Sequence, residues 1–302
     1  CIWGIVTGYT PQAAMRIASE TKPLVISRAM GTTNVDSSRF KDSMSITDWQ
    51  PFQYLEQHGS KGKVTPAFYT KGLKEQDKGD ETTLGVTPKL MEYWKRYSPQ
   101  LFVTASHATQ FNLEMPFGKG LIVSGNNRFY ALDKKQFREF TTFLRGVLFN
   151  GKEDDLLSFL NRIKAPVIET RPVPAVWVAA GNCLIGDAKK TKNSMAVTAL
   201  SRYGFNQLVG YTVPSWYGKG VWGTLGLLFS NHDASSLAEA WYLNNQFILD
   251  ETMTRFPKLM DVHFNSPDIN GIKNDPDFAR GMNSAGYGMG KDQLGLIHDR
   301  DT

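Results

Sequence analysis

Two residues of this chain have types and settings that suit covalent chemistry, Cys183 and His107. Cys183 follows the apolar run Ala175–Ala180 after only Gly181 and Asn182, in the segment AVWVAAGNCLIGDA. A short continuous apolar run reads as a buried parallel strand, and catalytic groups of open α/β sheets gather at the carboxyl ends of such strands. His107 sits in the same kind of place, just past the apolar part of LFVTASHAT, Leu101–Thr109. A thiol becomes a strong nucleophile when a neighbouring base or cation makes its thiolate available. A Cys and a His at two strand tips are therefore the parts of a thiolate–imidazole pair. The backbone N–H groups of Cys183 and Ala108 are candidate donors to the oxyanion that attack on a carbonyl develops. Singly, each residue has an ordinary reading, the Cys as a small buried hydrophobe. Their matched placement favours chemistry.

The elements that must position this pair can be read around it. Ile2–Val6 reads as a first strand. Thr10 and Pro11 then open a helix, as N-cap and first helical residue, that runs to about Glu20. Pro23–Ser27, PLVIS, reads as a second strand, and this strand–helix–strand opening favours a parallel sheet. Gly31–Asp80 is polar and mixed, with a short helix near Pro51–Gln57. Lys71–Thr83 is loop-like, and Thr87–Arg96 is a short helix. Gly120–Ser124 and Arg128–Leu132 flank Gly125-Asn126-Asn127 and read as a hairpin. Helices follow over Lys134–Leu148, capped by Asp133, and over Asp154–Ile163. Beyond the strand that leads to Cys183, Asn193–Tyr203 is a helix with Gly204 after its end, and Asn206–Tyr211 is a strand. Thr212–Gly223 is an aromatic, glycine-rich loop, and Ser235–Asp250 is a helix opened by Asp233. The expected fold class is α/β, a mostly parallel sheet flanked by helices. Residues 1–255 form the expected domain, with 117–165 as a candidate insertion and 256–302 as an irregular Gly/Asn-rich extension.

Composition narrows the function. The 34 basic and 29 acidic residues of the 302 leave a net charge of only +5. The lysines (Lys61, Lys63, Lys71, Lys74, Lys189, Lys190, Lys192) are scattered rather than gathered into the dense patch that nucleic acid needs. Two cysteines, Cys1 and Cys183, imply no disulfide framework. No CxxC, HExxH or acidic calcium loop is present, so neither a metal site nor a cofactor is expected. No run of about 18 apolar residues predicts a membrane span. No charged segment precedes an apolar one as in a signal peptide. The opening CIWGIVTGYT reads as a strand entering a glycine turn, as in a fragment or processed form.

The two tips, taken in order, resemble the caspase–gingipain superfamily of cysteine peptidases (clan CD). There a His follows one apolar strand and the Cys follows the next core strand. Cys183-Leu184-Ile185-Gly186-Asp187 is similar to the gingipain pattern of Cys, two residues, Gly and an Asp or Asn. The resemblance covers roughly Ile2–Asp250. It implies a caspase-haemoglobinase-like three-layer sandwich and a cysteine endopeptidase acting through an acyl-enzyme on Cys183, with His107 as base or ion-pair partner. It also implies a peptide or protein substrate, and a substrate-pocket wall in the loop containing Ser215, Trp216, Tyr217 and Trp222. A bacterial, exported enzyme made as a precursor fits the same resemblance, which admits a calcium requirement for which no site can be read here.

Three features depart from the family pattern. His107-Ala108 replaces the usual His-Gly, Asn182 replaces the usual small residue before the Cys, and the two tips lie 183 − 107 = 76 residues apart. An inactive, peptidase-like binding domain is therefore an alternative. A second alternative is an N-terminal-nucleophile amidohydrolase using Cys1, whose α-amine would serve as base. His58 competes with His107 because Gly59 follows it, but no apolar strand precedes it. His232, His263 and His298 read as structural or tail residues, and Asp36, Asp48 and Asp187 are candidate acidic groups for a substrate pocket.

Overall fold

In the chain's computed structural model, residues 5–20, 24–32, 42–45, 94–95, 98–115, 120–150, 153–170, 174–188, 191–212, 224–228, 236–255 and 257 are described. Helix α1 (Pro11–Ala18) starts as its sequence dictates: Thr10 is extended, and its hydroxyl accepts from the Ala13 N–H at 3.2 Å. The strand expected at Ile2–Val6 is not found in its described part. Residues 5–8 are irregular and Ile5 is 79 % exposed. In the parallel sheet β1 (Arg28–Gly31) pairs with β2 (Asp42–Ser45) on one side and with β3 (Leu101–Ala105) on the other, and residues 5–8 join none of these ladders. The strand expected at Pro23–Ser27 also moves, beginning at Arg28. The Gln100 side-chain carbonyl accepts from the N–H groups of Ser27, at 3.3 Å, and Arg28, at 2.8 Å, so a side chain occupies the backbone just ahead of the ladder. β2, with sequence DSMS, has no apolar run to announce it.

After β3 the chain leaves the parallel sheet and builds an antiparallel one: β4 (Ala108–Thr109), β5 (Asn112–Glu114), β6 (Leu121–Gly125) and β7 (Arg128–Leu132), paired in that order. The β6–β7 hairpin turns where expected, through Asn126 (φ 48°) and Asn127 (φ 54°). Two successive left-handed residues suit the twist of a two-residue hairpin, and asparagine tolerates them. Helix α2 (Lys134–Asn150) opens with a reciprocal cap: Asp133 accepts from the Gln136 N–H at 2.8 Å, and Gln136 accepts from the Asp133 N–H at 3.1 Å. Helix α3 (Glu153–Arg162) follows. The chain then returns to the parallel sheet as β8 (Ala175–Gly181), crosses through helix α4 (Met195–Arg202) and lays down β9 (Phe205–Gly210). Helix α5 (Leu237–Arg255) is capped by Ser236, which exchanges hydrogen bonds with Glu239; the expected start at Asp233 and Ser235 lies outside the described residues. The elements expected at Pro51–Gln57, Lys71–Thr83 and beyond residue 257 lie outside the described residues.

The fold is therefore mixed α/β. Its parallel sheet has the order β2-β1-β3-β8-β9. The chain moves outward from β1 to β2, then resumes on the other side with β3, β8 and β9, so the order reverses between β1 and β3. Among the described residues, β3 is buried along its whole length and β8 up to Ala180, as strands covered on both faces must be. One face packs Leu101, Val103, Val176 and Val178 against Leu225, Leu228, Leu237 and Ala240. The other packs Phe102 and Trp177 against Met195 and Ala199 of α4, Tyr203 just past its end, and Leu113, Ile122 and Phe129 of the antiparallel sheet. Alternate residues of that second sheet, Leu121, Val123, Tyr130 and Leu132, face Phe140, Phe159 and Leu160 of α2 and α3.

Tyr203 fastens the two sheets together. Its hydroxyl accepts from the Phe129 N–H at 2.8 Å and donates to the Ile168 carbonyl at 3.0 Å, and its ring stacks on Phe129 with centroids 4.3 Å apart. Burial pushes the phenol above its ordinary value, which keeps the donating proton in place. The Tyr203→Phe variant leaves two buried backbone groups without this partner and is expected to lose about 1–3 kcal/mol. Urea unfolding of wild type and variant reads this directly, and an unchanged midpoint would refute the role.

Candidate functional site

The site begins with a break in strand register. Leu101, Phe102 and Val103 of β3 pair with Val176, Trp177 and Val178 of β8, and then Ala105 pairs with Gly181. The offset between partners is 176 − 101 = 75 at the start and 181 − 105 = 76 at the end. β8 thus carries one extra residue, a bulge, just before its carboxyl end. Bulges re-aim the side chains beyond them and are enriched next to active sites. The last pair, Ala105 and Gly181, stands two residues before His107 on one strand and two residues before Cys183 on the other. In pleated strands a slip of one residue reverses the face to which a side chain belongs.

The end of β3 is held from both sides. From β1, the Thr32 N–H donates to the Val103 carbonyl at 2.9 Å, and the buried Thr32 hydroxyl accepts from the Ala105 N–H at 3.2 Å. From β8, the Ser106 N–H donates to the Gly181 carbonyl at 3.3 Å. Asn182, fully buried, adds side-chain bonds to the same place. Its amide N–H groups donate to the Ser106 carbonyl at 3.0 Å and hydroxyl at 3.1 Å, and its carbonyl accepts from the Thr104 hydroxyl. Trp177 Nε1 donates to Thr104 at 2.8 Å, and Ser106 donates onward to the Glu114 carbonyl of β5 at 2.6 Å.

Cys183 is half-buried and His107 is exposed, so the two strand ends open to solvent. Ala108 starts β4 and packs against the core below the site. Its φ is not positive, so the alanine in place of a glycine carries no backbone strain there. The His107 carbonyl accepts from the Glu114 N–H at 2.9 Å, which anchors the turn from one sheet to the other.

The turn after Cys183 is seated on the end of β9. The Gly186 N–H donates to the Tyr211 carbonyl at 2.9 Å, the Asp187 N–H donates to the Leu184 carbonyl at 3.0 Å, and Ile185 is buried in the core. Leu184 has φ 59°, a left-handed conformation that costs a non-glycine residue on the order of 1–2 kcal/mol. Gly186 is required here: a Cβ would lie 2.5 Å from the Gly210 carbonyl oxygen and 2.9 Å from its carbon. The Gly186→Ala variant is expected to lose about 1–3 kcal/mol through forced separation of two backbones and to displace the Cys183 turn. Thermal unfolding and the rate of Cys183 alkylation should both change; a variant equal to wild type in both would show that the turn is not seated this way.

The structure therefore puts His107 and Cys183 at the carboxyl ends of neighbouring parallel strands, and puts Asp187 four residues beyond the thiol, half-buried. Ser215, Trp216, Tyr217, Trp222, His58, His232, His263, His298, Asp36, Asp48 and Cys1 lie outside the described residues. Among the described residues no cluster of His, Cys, Asp and Glu could hold a metal ion, and no helix is long and apolar enough to cross a membrane. Two features of the site go beyond what sequence reasoning found there, the β8 bulge and the bonding of Asn182. The small residues Ala179-Ala180-Gly181 are the only trace of the first in the sequence. Comparison with protein-family models, with curated proteins and with solved structures finds no match to this chain.

Proposed function

We propose that the protein is a cysteine endopeptidase of the caspase–gingipain kind, in which Cys183 attacks the scissile carbonyl and His107 takes up and returns the proton. The observation that carries this reading is that His107 and Cys183 each follow, by two residues, the last paired residues of adjacent parallel strands, Ala105 and Gly181. The sheet order supports it: the His follows the third strand of the parallel sheet and the Cys follows the fourth, beside the point where strand order reverses, where ligands of open α/β sheets bind. Core packing on both faces of that sheet is consistent with a three-layer sandwich.

In this mechanism the Cys183 thiolate forms the bond to the carbonyl carbon, and the amide nitrogen leaves with the proton held by His107. Water then hydrolyses the acyl-enzyme with His107 as base. The N–H groups of Cys183 and Ala108 are the candidate oxyanion donors, and the substrate is a peptide or protein. The loop around Ser215, Trp216 and Tyr217 would wall the pocket, as in the family, and no metal or other cofactor takes part in the bond-breaking steps.

Peptidyl acyloxymethyl ketones with different terminal side chains test this reading, because they alkylate a cysteine that attacks a bound peptide carbonyl. Mass spectrometry should find the label on Cys183, for some side chains and not others, and labelling should slow by about 10²-fold or more in His107→Ala. Labelling on Cys1 alone, or none with any peptide, would contradict it.

A further inference from the structure

The Asn182 side chain is fully buried, and its two N–H bonds and one accepted bond span the gap between β3 and β8 one residue before His107 and Cys183. A backbone ladder alone does not favour the offset of 76 over the offset of 75 that the same two strands keep along Leu101–Val103. A side chain that bonds both Thr104 and Ser106 does, because only the shifted register sets residue 182 beside residue 106. The chain of donors is complete and runs one way, from Trp177 to Thr104, Asn182, Ser106 and the Glu114 carbonyl. Buried networks of this kind, with every member satisfied, favour a single arrangement of the groups they join. Thr32 fixes the opposite side of β3, so the strand cannot slide to accommodate a change at residue 182.

We infer that Asn182 is a positioning residue which locks the last residues of β3 and β8 one step out of strand register and so holds His107 level with Cys183. This rests on the reading of these two residues as a reacting pair. Asn182 touches no substrate in this role. It acts through the backbone at Ser106 and through its own peptide link to Cys183.

The test is the pH profile of iodoacetamide alkylation at Cys183 in wild type, His107→Ala, Asn182→Ala and the double variant, each first shown to be folded by circular dichroism. The expected result is that wild type reacts at least tenfold faster than His107→Ala near neutral pH, that Asn182→Ala follows the His107→Ala profile, and that the double variant adds nothing. A folded Asn182→Ala protein with the wild-type profile would overturn the positioning role while leaving the pair intact. Equal profiles for wild type and His107→Ala would overturn the pair itself, and the positioning role with it. If Asn182→Ala does not fold, Thr104→Val, which removes one bond of the network, decides by the same comparison.

Discussion

Replacing Cys183 by alanine is expected to abolish peptide hydrolysis, by on the order of 10⁴-fold or more, while leaving the fold intact. The second half of that expectation follows from the residue's setting. Cys183 is half-buried at the start of a turn whose place is fixed by its neighbours. Ile185 is in the core, Gly186 is bonded to Tyr211, and Asn182 is bonded to Thr104 and Ser106. These bonds of the neighbouring residues remain when the sulfur is removed. Loss of activity with an unchanged unfolding curve separates a nucleophile from a structural thiol, since a structural thiol would show the reverse. His107→Ala should lose less, about 10²–10⁴-fold, because the thiolate can still form without the imidazole. Both variants are read with the same peptide substrate and the same unfolding assay.

Trp177→Ala should produce the largest loss of stability, about 3–5 kcal/mol. Trp177 is only 1 % exposed and sits at the centre of the aromatic cluster between the two sheets. Its ring centroid lies 5.7 Å from Phe102, 5.6 Å from Phe205 and 6.4 Å from Phe129, the last edge-on at 88°. Truncation leaves a cavity walled by β3, β9 and β7, strands held in place by their own ladders, so collapse around it is limited. The variant also removes the Nε1 bond to the Thr104 hydroxyl, the first link of the network at Asn182, so Cys183 reactivity should fall along with stability. Trp177→Phe keeps most of the volume and loses only the Nε1 bond, so it should cost about 1–2 kcal/mol. Chemical denaturation of the three proteins gives the order. A loss below about 1 kcal/mol for the alanine variant would mean that this cluster does not carry the core.

The contrast between what sequence did and did not disclose follows from the nature of each signal. β8, β9, α1, α2 and α4 are announced by local features, namely apolar runs, a Thr or Asp cap, Pro11 and Gly204. Each such feature acts on its own few residues and survives into the fold. The Gly125-Asn126-Asn127 hairpin is legible for the same reason. Ile5–Val6 shows where this fails. Apolar character alone does not specify a strand there: a strand also needs a partner ladder, and Ile5 is 79 % exposed and irregular. β2 is the reverse case, a tetrapeptide, DSMS, without an apolar run that nevertheless pairs along its whole length with β1.

At the site, the residue types and their strand tips are legible, and their alignment is not. Register is a property of two segments separated by more than seventy residues, and the bulge that sets it changes the sequence only by one small residue among several. Asn182 stands out in the sequence merely as a departure from a family pattern. Its meaning appears only when Ser106 and Thr104 are seen beside it. Ala108 is a departure of another sort, with a backbone angle that a Cβ satisfies.

The proposed chemistry requires His107 and Cys183 to lie side by side across the ends of β3 and β8. The most direct measurement is disulfide trapping in the His107→Cys variant. Level residues on neighbouring strands are about 4.7–4.9 Å apart, inside the Cα separation of about 4.4–6.8 Å that a disulfide spans. Mild oxidation should therefore join position 107 to Cys183, seen by peptide mapping as a loss of two hydrogens across that pair, with the Ser106→Cys variant as the out-of-register control. Failure of the His107→Cys variant to cross-link while both thiols remain open to alkylation, or cross-linking from position 106 in its place, would contradict the account.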